Sequence, residues 1–347
     1  MKDTAVSLSL AQLPSRALSG ERAADFLALT KPRVMLLAVF TALVGLVVAP
    51  GHRDPLLALV AMVAIAAGAG AAGVLNMWYD ADIDAVMART SRRPIPRGTI
   101  ARGEALAFGL VLACSAVVIL GFAANLTAAA LLAGTILFYV VAYTMWLKRR
   151  TPQNIVIGGA AGALPPVIGW AAAGGGVGLE PLILFLIIFL WTPPHFWALS
   201  LNRADDYGRA GVPMLPVVAG RAATTRQILI YSGALLPISL LPWALGLAGA
   251  LYGLAAAVCG GTLVLLARQL DRRRDADRGT AQRLFAFSIV YLFILFAALL
   301  ASNGSDRWPP MRTGGAASIA VDWAQASSMA HPAQTARDPA TLARGGI

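Results

Sequence analysis

The chain has 347 residues, of which 58% are hydrophobic and only 13% are charged, and its mean hydropathy is +0.70. A soluble protein of this length needs more charge to cover its surface, so the composition excludes an ordinary soluble domain. The formal net charge of +11 is uneven, since 23 of the 28 Lys and Arg residues fall in alternate connections between apolar segments. This is the positive-inside bias of a membrane protein, so we expect no nucleic-acid partner.

Nine apolar windows follow one another along the chain, and none has a charged residue in its interior. Each is close to the ~20 residues that a helix needs to cross a bilayer. We therefore predict an all-α, polytopic membrane protein with nine transmembrane helices. The windows are 34–49, 56–79, 104–122, 126–147, 155–174, 179–201, 227–246, 250–267 and 284–301.

The two ends of the chain differ from its apolar middle. Residues 1–30 are predicted to form a cytoplasmic tail, within which residues 21–29 form a short amphipathic helix on the membrane surface. Residues 31–301 are the predicted membrane domain. Residues 302–347 are rich in Ala, Ser, Thr, Gly and Pro and are expected to be disordered. The charge bias places the N-terminus in the cytoplasm and the C-terminus outside.

A cluster of acids ends the second window. Asn76, Asp80 and Asp84 are spaced i, i+4, i+8, so on a helix they form one stripe, whereas Asp82 points roughly the opposite way. Acids at the edge of a membrane usually mark a site, and oxygen ligands in a row suit Mg²⁺. An idle, solvated helix end is the alternative interpretation.

The sixth window ends with a similar pattern. Asn202 and Asp206 repeat the spacing of Asn76 and Asp80, and Asp205 adds a second acid. A weak internal repeat of this kind often frames a shared central cavity, so we expect both acidic segments on one side of the membrane. The predicted metal ligands are Asn76, Asp80, Asp84, Asp205 and Asp206.

Cationic side chains accompany both ends of this pattern. Arginine binds phosphate oxygens through paired hydrogen bonds, although anchoring of a cytoplasmic loop explains some of these cations equally well. Acids that hold a divalent metal beside cations that hold phosphate indicate a diphosphate-bearing substrate at a membrane surface. The candidates are Arg89, Arg92, Arg93 and Arg97 after the first cluster, and Tyr143, Lys148, Arg149 and Arg150 near the end of the fourth window.

His195 lies inside the sixth window, among the aromatic residues Trp191, Phe196 and Trp197. An imidazole within a membrane needs a partner. The sequence leaves two interpretations open: His195 ligates a haem iron, or it forms a hydrogen bond with a neighbouring carbonyl.

Several motifs together resemble a known family. The segment from Asn76 to Asp84, with the Arg-Arg-Pro-Ile-Pro-Arg sequence at 92–97, resembles the first aspartate motif of the UbiA-type intramembrane prenyltransferases. The segments 29–33, 149–158, 193–198 and 205–216 narrow the resemblance to the branch that farnesylates protohaem IX. The resemblance covers about residues 25–300.

This resemblance implies transfer of the farnesyl group of farnesyl diphosphate to a vinyl group of haem b, with addition of water, to give haem O. It implies nine transmembrane helices around a central cavity, Mg²⁺ as cofactor, a bacterial inner membrane, and haem A synthase as a partner. The roles carried over are catalysis by Asp80, Asp84, Lys148 and Asp206; diphosphate binding by Arg92, Arg93, Arg97, Tyr143 and Arg149; and haem binding by His195.

The chain departs from the family at two positions. Relatives that prenylate aromatic acids have further aspartates where this chain has His195 and Asn202, so the resemblance leaves the second metal site undecided. Aromatic walls are expected to shield an allylic cation from water. The expected wall residues are Trp78, Tyr79, Phe138 and Trp197.

Two other functions compete with haem farnesylation. A UbiA-type enzyme with another acceptor, such as a quinone precursor, has no evident need for an imidazole in the sixth window. A transporter with an acidic gate holds its acids near the middle of the bilayer, whereas these acids gather at one surface beside arginines.

Overall fold

The computed structural model describes residues 20–51, 54–174, 176–273 and 278–302, and it is almost entirely helical. Eight of its helices are long and apolar enough to cross a membrane, or nine if the bent pair at 20–48 forms one span. The prediction of an all-α, multi-pass membrane protein is confirmed. The parts of the predicted tails at 1–19 and 303–347 lie outside the described residues.

The helices are numbered in chain order, and most predicted windows correspond to a single one of them. The fourth window comprises α6 and a π-helical segment, which α7 follows directly, and the fifth is broken at Leu164 into α8 and α9. The helices are α1 (Gly20–Leu29), α2 (Pro32–Val48), α3 (Pro55–Tyr79), α4 (Ala81–Val86), α5 (Arg102–Ala123), α6 (Leu126–Leu137), the π-helical segment (Phe138–Leu147), α7 (Lys148–Arg150), α8 (Asn154–Ala163), α9 (Pro165–Ala172), α10 (Leu179–Leu201), α11 (Ala204–Arg209), α12 (Leu215–Val218), α13 (Gly220–Ala244), α14 (Ala250–Arg272) and α15 (Arg278–Ser302).

Local chemistry sets the start of several helices. Asp54 precedes Pro55 at the first position of α3 and accepts hydrogen bonds from the Leu56 and Leu57 amides at 2.8 and 3.0 Å. Asn125 caps α6 in the same way. These caps satisfy backbone donors that the first turn of a helix leaves unpaired.

The spanning helices form a closed ring. Each packs against the next along the chain, and α15 packs against α2. Large apolar side chains such as Phe122 and Leu126 remain exposed on the outside, as expected where lipid is the solvent. The ring encloses the space in which the polar residues of the apolar segments can meet.

Small residues let α2 and α9 approach closely. A Cβ atom at Gly45 would overlap the carbonyl of Pro166, and one at Gly169 would overlap the carbonyl of Ala42. The hydrophobic effect does not drive helices together in lipid, because lipid tails are as apolar as the side chains. Helices there associate through close backbone contact of this kind.

The two acidic motifs occupy equivalent breaks. The 25-residue helix α3 is followed by the six-residue helix α4, and the 23-residue helix α10 is followed by the six-residue helix α11. The repeated spacing in the sequence therefore corresponds to a repeated structural unit, and both breaks lie at the same end of the ring.

Candidate active site

The acidic stripe at the end of α3 is buried. The exposed fractions of Asn76, Asp80 and Asp84 are 5%, 0% and 2%. Although α3 ends before Asp80, the Asp80 and Asp84 amides still donate to the carbonyls four residues earlier, at 2.9 and 2.8 Å. Helical spacing therefore continues through the break, and the predicted single stripe is confirmed.

Cations from elsewhere in the chain neutralise this stripe. Lys148 forms an ion pair with Asp80, and Arg93 lies 2.6 Å from Asp84 Oδ2. Arg149 Nη2 lies 3.6 Å from Asp80 Oδ1. A buried carboxylate without a partner is strongly destabilising. The two acids can therefore be buried together only because these cations pair with them.

Lys31 is a member of this cluster that the sequence analysis did not include among its site residues. Its Nζ donates to Asn76 Oδ1 at 2.7 Å, and Asn76 Nδ2 donates to Asp80 Oδ2 at 2.8 Å. Lys31 has a φ of 53°, in the left-handed region that residues other than glycine seldom adopt.

Asp82 lies on the other side of the motif and is exposed. Arg149 donates to both of its carboxylate oxygens, at 2.8 and 2.7 Å, and the same guanidinium lies 4.8 Å from the ring centre of Tyr79. These hydrogen bonds favour the charged carboxylate and lower the pKa of Asp82 to about 2. The interpretation of Asp82 as the weaker candidate agrees with this exposed position.

The second acidic motif lies against the first. Asp206 is buried, and its Oδ1 accepts hydrogen bonds from the Ala88 amide at 3.0 Å and from Arg209 at 2.7 Å. Asp205 is exposed and makes no hydrogen bond or ion pair with the described residues. The two motifs therefore share one end of the ring, where α4, Arg149 and residues 209–211 line a space of about 290 Å³.

The remaining predicted phosphate ligands have different surroundings. Arg92 is exposed, and Arg97 lies 3.0 Å from Asp25 in α1. That pair joins the N-terminal helix to the loop after α4 and lies apart from the buried stripe. An exposed ion pair of this kind contributes roughly 1 kcal/mol or less.

An apolar cavity of about 450 Å³ lies next to the acidic cluster. Gly73, one turn before Asn76, lines it, as does Tyr143, which precedes Thr144. The Thr144 hydroxyl accepts a hydrogen bond from Asn76 Nδ2 at 3.1 Å. The polar cluster is therefore continuous with one end of the cavity.

The π-helical segment shapes this junction. Wider turns of this kind are rare and are frequent at functional sites. Tyr139 and Tyr143 both line the cavity, with ring centres 5.3 Å apart, and Lys148 follows directly after the segment. Tyr143, predicted to bind diphosphate, thus has its ring in the apolar wall, beside the cation that pairs with Asp80.

None of the four expected aromatic wall residues lines the cavity, so that expectation is wrong. Trp78 packs with Phe26 and Phe108, and Trp197 is buried against Tyr231. Trp197 follows Phe196, which lines the cavity, and successive residues on a helix are turned by about 100° from one another. Tyr79 and Phe138 also lie outside the lining, which contains instead Tyr139, Tyr143, Trp191, Phe196 and Phe285.

His195 lines the cavity away from the acids. Its ring lies between Trp191 and Phe285, at centroid distances of 4.3 and 4.6 Å. Its Nδ1 lies 2.7 Å from Ser288 Oγ, so its protein partner is a hydroxyl on α15 and not a backbone carbonyl.

The oxygen atoms of the stripe fit a divalent metal. Two carboxylates and one amide oxygen are hard ligands of the kind that Mg²⁺ binds together with phosphate oxygens. Asp80 Oδ1 is buried and accepts no hydrogen bond from the described residues, which leaves it available to a metal ion. Within the described part of the chain, no three His, Cys, Asp or Glu side chains form one metal-binding group. A metal there would need ligands from substrate or water.

The site combines buried acids, their cationic partners and an adjoining apolar cavity within a helical membrane bundle. Together these features define an intramembrane transferase of isoprenoid diphosphates. Residues 38–290 match the UbiA prenyltransferase family. This chain belongs to that family.

Close relatives share most of the chain. A protein named protoheme IX farnesyltransferase from Azorhizobium caulinodans is 61% identical over 295 residues, covering 84% of this chain and 95% of that protein. A protein named protoheme IX farnesyltransferase 1 from Mesorhizobium japonicum is 60% identical over 307 residues, covering 88% and 96%.

Solved structures share the fold. A digeranylgeranylglyceryl phosphate synthase superposes with a TM-score of 0.68 at 22% identity, covering 81% of this chain and 98% of that one. A UbiA homologue from Archaeoglobus fulgidus bound to DMAPP and Mg²⁺ superposes with a TM-score of 0.56 at 15% identity, covering 79% and 99%. At these identities the likeness concerns the fold, and the prediction of a UbiA-like helical membrane architecture is confirmed, with eight or nine spans among the described residues.

Proposed function

We propose that this chain transfers the farnesyl group of farnesyl diphosphate to a vinyl group of haem b and so produces haem O. The observation that carries this proposal is the buried stripe of Asn76, Asp80 and Asp84, paired with cations at the end of an apolar cavity. The relatives named protoheme IX farnesyltransferase, about 60% identical over most of their length, support haem as the acceptor.

The polar cluster binds the diphosphate. Asn76, Asp80 and Asp84 would hold Mg²⁺, which supplies positive charge to the departing oxygens when it is bound. Asp205 and Asp206 remain proposed ligands from the second motif. The cations that now contact Asn76, Asp80 and Asp84 then have phosphate oxygens as alternative partners. These cations are Lys31, Arg93, Lys148 and Arg149.

Charge stabilisation then drives the reaction. The C–O bond of the allylic diphosphate breaks, the electron pair leaves with diphosphate, and the vinyl carbon of haem attacks the farnesyl cation. Water adds to the resulting cation and loses a proton, which gives the hydroxyl group of haem O. Fixed cations at the leaving group lower the barrier because they need no reorganisation as charge develops.

The cavity protects the cation. Tyr139, Tyr143 and Trp191 present aromatic groups to a space from which apolar neighbours exclude water. Aromatic faces attract cations, and dry surroundings prevent early capture by water. His195, on the α10 and α15 wall, is the proposed contact for the iron porphyrin. A quinone precursor remains the alternative acceptor.

The distribution of charged residues along the chain supports a proposed orientation in the membrane. Residues 31–301 are proposed as the catalytic membrane domain, in the inner membrane of a bacterium, with the N-terminus cytoplasmic and the C-terminal tail outside. The uneven distribution of Lys and Arg supports this orientation. Haem A synthase, which would oxidise haem O, is the proposed partner.

The test is a reconstituted reaction. Purified protein is incubated with haem b, farnesyl diphosphate and Mg²⁺, and mass spectrometry detects a haem that carries farnesyl plus water. Asp80→Asn is expected to lower kcat by roughly 10²- to 10³-fold, as expected when a preorganised electrostatic contact is lost. Asp54→Asn, which keeps a cap at the opposite end of α3, is the control and should be fully active. Farnesylation of a quinone precursor but not of haem would refute the proposal.

A further inference from the structure

Ser288 of α15 holds two side chains of α10. The Trp191 indole donates to the Ser288 carbonyl at 2.7 Å, and His195 Nδ1 lies 2.7 Å from the Ser288 hydroxyl. The same hydroxyl lies 2.6 Å from the carbonyl oxygen of Phe285. One serine therefore fixes residues one turn apart on the facing helix.

These contacts determine where the protons lie. A carbonyl oxygen only accepts, and a serine hydroxyl has a single proton. That proton therefore goes to Phe285, and the Ser288 oxygen accepts a hydrogen bond from His195. Nδ1 carries the imidazole proton, and Nε2 of the neutral ring keeps its lone pair.

Stacking fixes the ring as well as its tautomer. The planes of Trp191 and Phe285 lie within 18° and 26° of the imidazole plane, on opposite sides of a ring that is buried and lines the cavity. Nε2 makes no hydrogen bond with the described residues. It is therefore the nitrogen available to a ligand in the cavity.

We infer that Ser288 is a positioning residue that holds His195 with Nε2 ready to bind the iron of a haem in the cavity. Imidazole is a common iron ligand, and a metal-binding His usually donates its other N–H to a protein acceptor. This inference rests on the proposed function, because it takes the acceptor to be an iron porphyrin.

Haem titration of purified variants tests the role of Ser288. Loss of such a supporting contact typically weakens metal affinity about 10- to 100-fold, and we expect this for Ser288→Ala, together with loss of the imidazole-ligated absorption spectrum. Ser288→Thr keeps a hydroxyl and should restore both. Ser232→Ala removes another buried serine hydroxyl, in α13, that has no hydrogen-bond partner in the described part of the chain, and should match the wild type.

The result that overturns the inference is a Ser288→Ala protein with wild-type affinity and spectrum while His195→Ala loses both. If Ser288→Ala does not fold, nitrogen-15 NMR of His195 in the wild-type protein decides between the tautomers. Protonated Nδ1 supports the inference, and protonated Nε2 refutes it. A wild-type protein that ligates haem through His195 but never farnesylates it supports this inference and refutes the proposed function.

Discussion

At the scale of single residues, the site is a set of buried charges that neutralise one another. Asp80 and Asp84 lie almost completely out of solvent, and each has a cation within ion-pair distance. Removing one partner of such a pair is more costly than replacing both, because the remaining charge stays buried. Substitutions that keep the size of a side chain but remove its charge are therefore informative here.

Lys31→Met is expected to lower kcat/KM for farnesyl diphosphate by about 10- to 100-fold, which corresponds to one charge-assisted hydrogen bond of roughly 1.5–3 kcal/mol. The reason is that Lys31 Nζ contacts Asn76 beside Asp80. Steady-state kinetics with varied diphosphate measure the effect. Arg226→Met, which replaces an exposed cation in α13 that has no role in the proposed site, is the control and should change kcat/KM little. Equal kinetics for Lys31→Met and the wild type would contradict a role for Lys31 in binding diphosphate.

At the scale of helices, the π-helical segment and α8 form one wall of the cavity. Tyr143 packs so closely on Gly158 that a Cβ atom there would overlap its ring. The ring position therefore depends on a helix that carries none of the acids. A change in α8 that moves Tyr143 would alter the cavity without touching the polar cluster.

Gly158→Ala is expected to destabilise the protein by about 1–3 kcal/mol and to raise KM for farnesyl diphosphate, because the added methyl group displaces Tyr143. Thermal unfolding in detergent and steady-state kinetics measure the two effects. Gly134→Ala adds the same methyl group in α6, where no described group beyond its own stretch of helix lies within 4 Å of the added carbon, so it should be neutral or slightly stabilising. A Gly158→Ala protein that behaves like Gly134→Ala would show that this contact leaves Tyr143 free to move.

At the scale of the whole molecule, closure of the helix ring brings distant segments together. Asp206 accepts a hydrogen bond from Ala88, which lies 118 residues earlier, so α4 and α11 meet at one end. The opposite end carries Asp54, at the start of α3. A site formed between two repeats has all of its charged groups on one side of the bilayer.

Cysteine labelling tests this orientation. In a protein whose Cys114 and Cys259 are replaced by alanine, Ser91→Cys should react with an impermeant maleimide only in inside-out vesicles. Asp54→Cys should react only in intact spheroplasts, because the loops rich in Lys and Arg stay in the cytoplasm. Labelling of Ser91→Cys from outside would reverse the proposed topology.

The membrane spans and the acidic stripe could be predicted without the structure. Continuous apolar windows of about 20 residues have few alternatives in a bilayer, since an unpaired backbone in lipid is too costly. The spacing of Asn76, Asp80 and Asp84 places them on one helical face, because helical periodicity acts between near neighbours. Their burial at the end of α3 agrees with that expectation.

The distant groups that contact those residues could not be predicted from the sequence, because these contacts depend on tertiary packing. Nothing in the local pattern shows that Lys31 turns onto Asn76, or that Trp197 points away from the cavity that His195 lines. In the sequence, Ser288 is an ordinary polar residue in an apolar span. Its contact with the His195 imidazole arises only because α15 packs against α10. The physical reason is that helical periodicity shows which face of a helix a residue occupies. The residues that contact that face depend on how the helices pack across the ring.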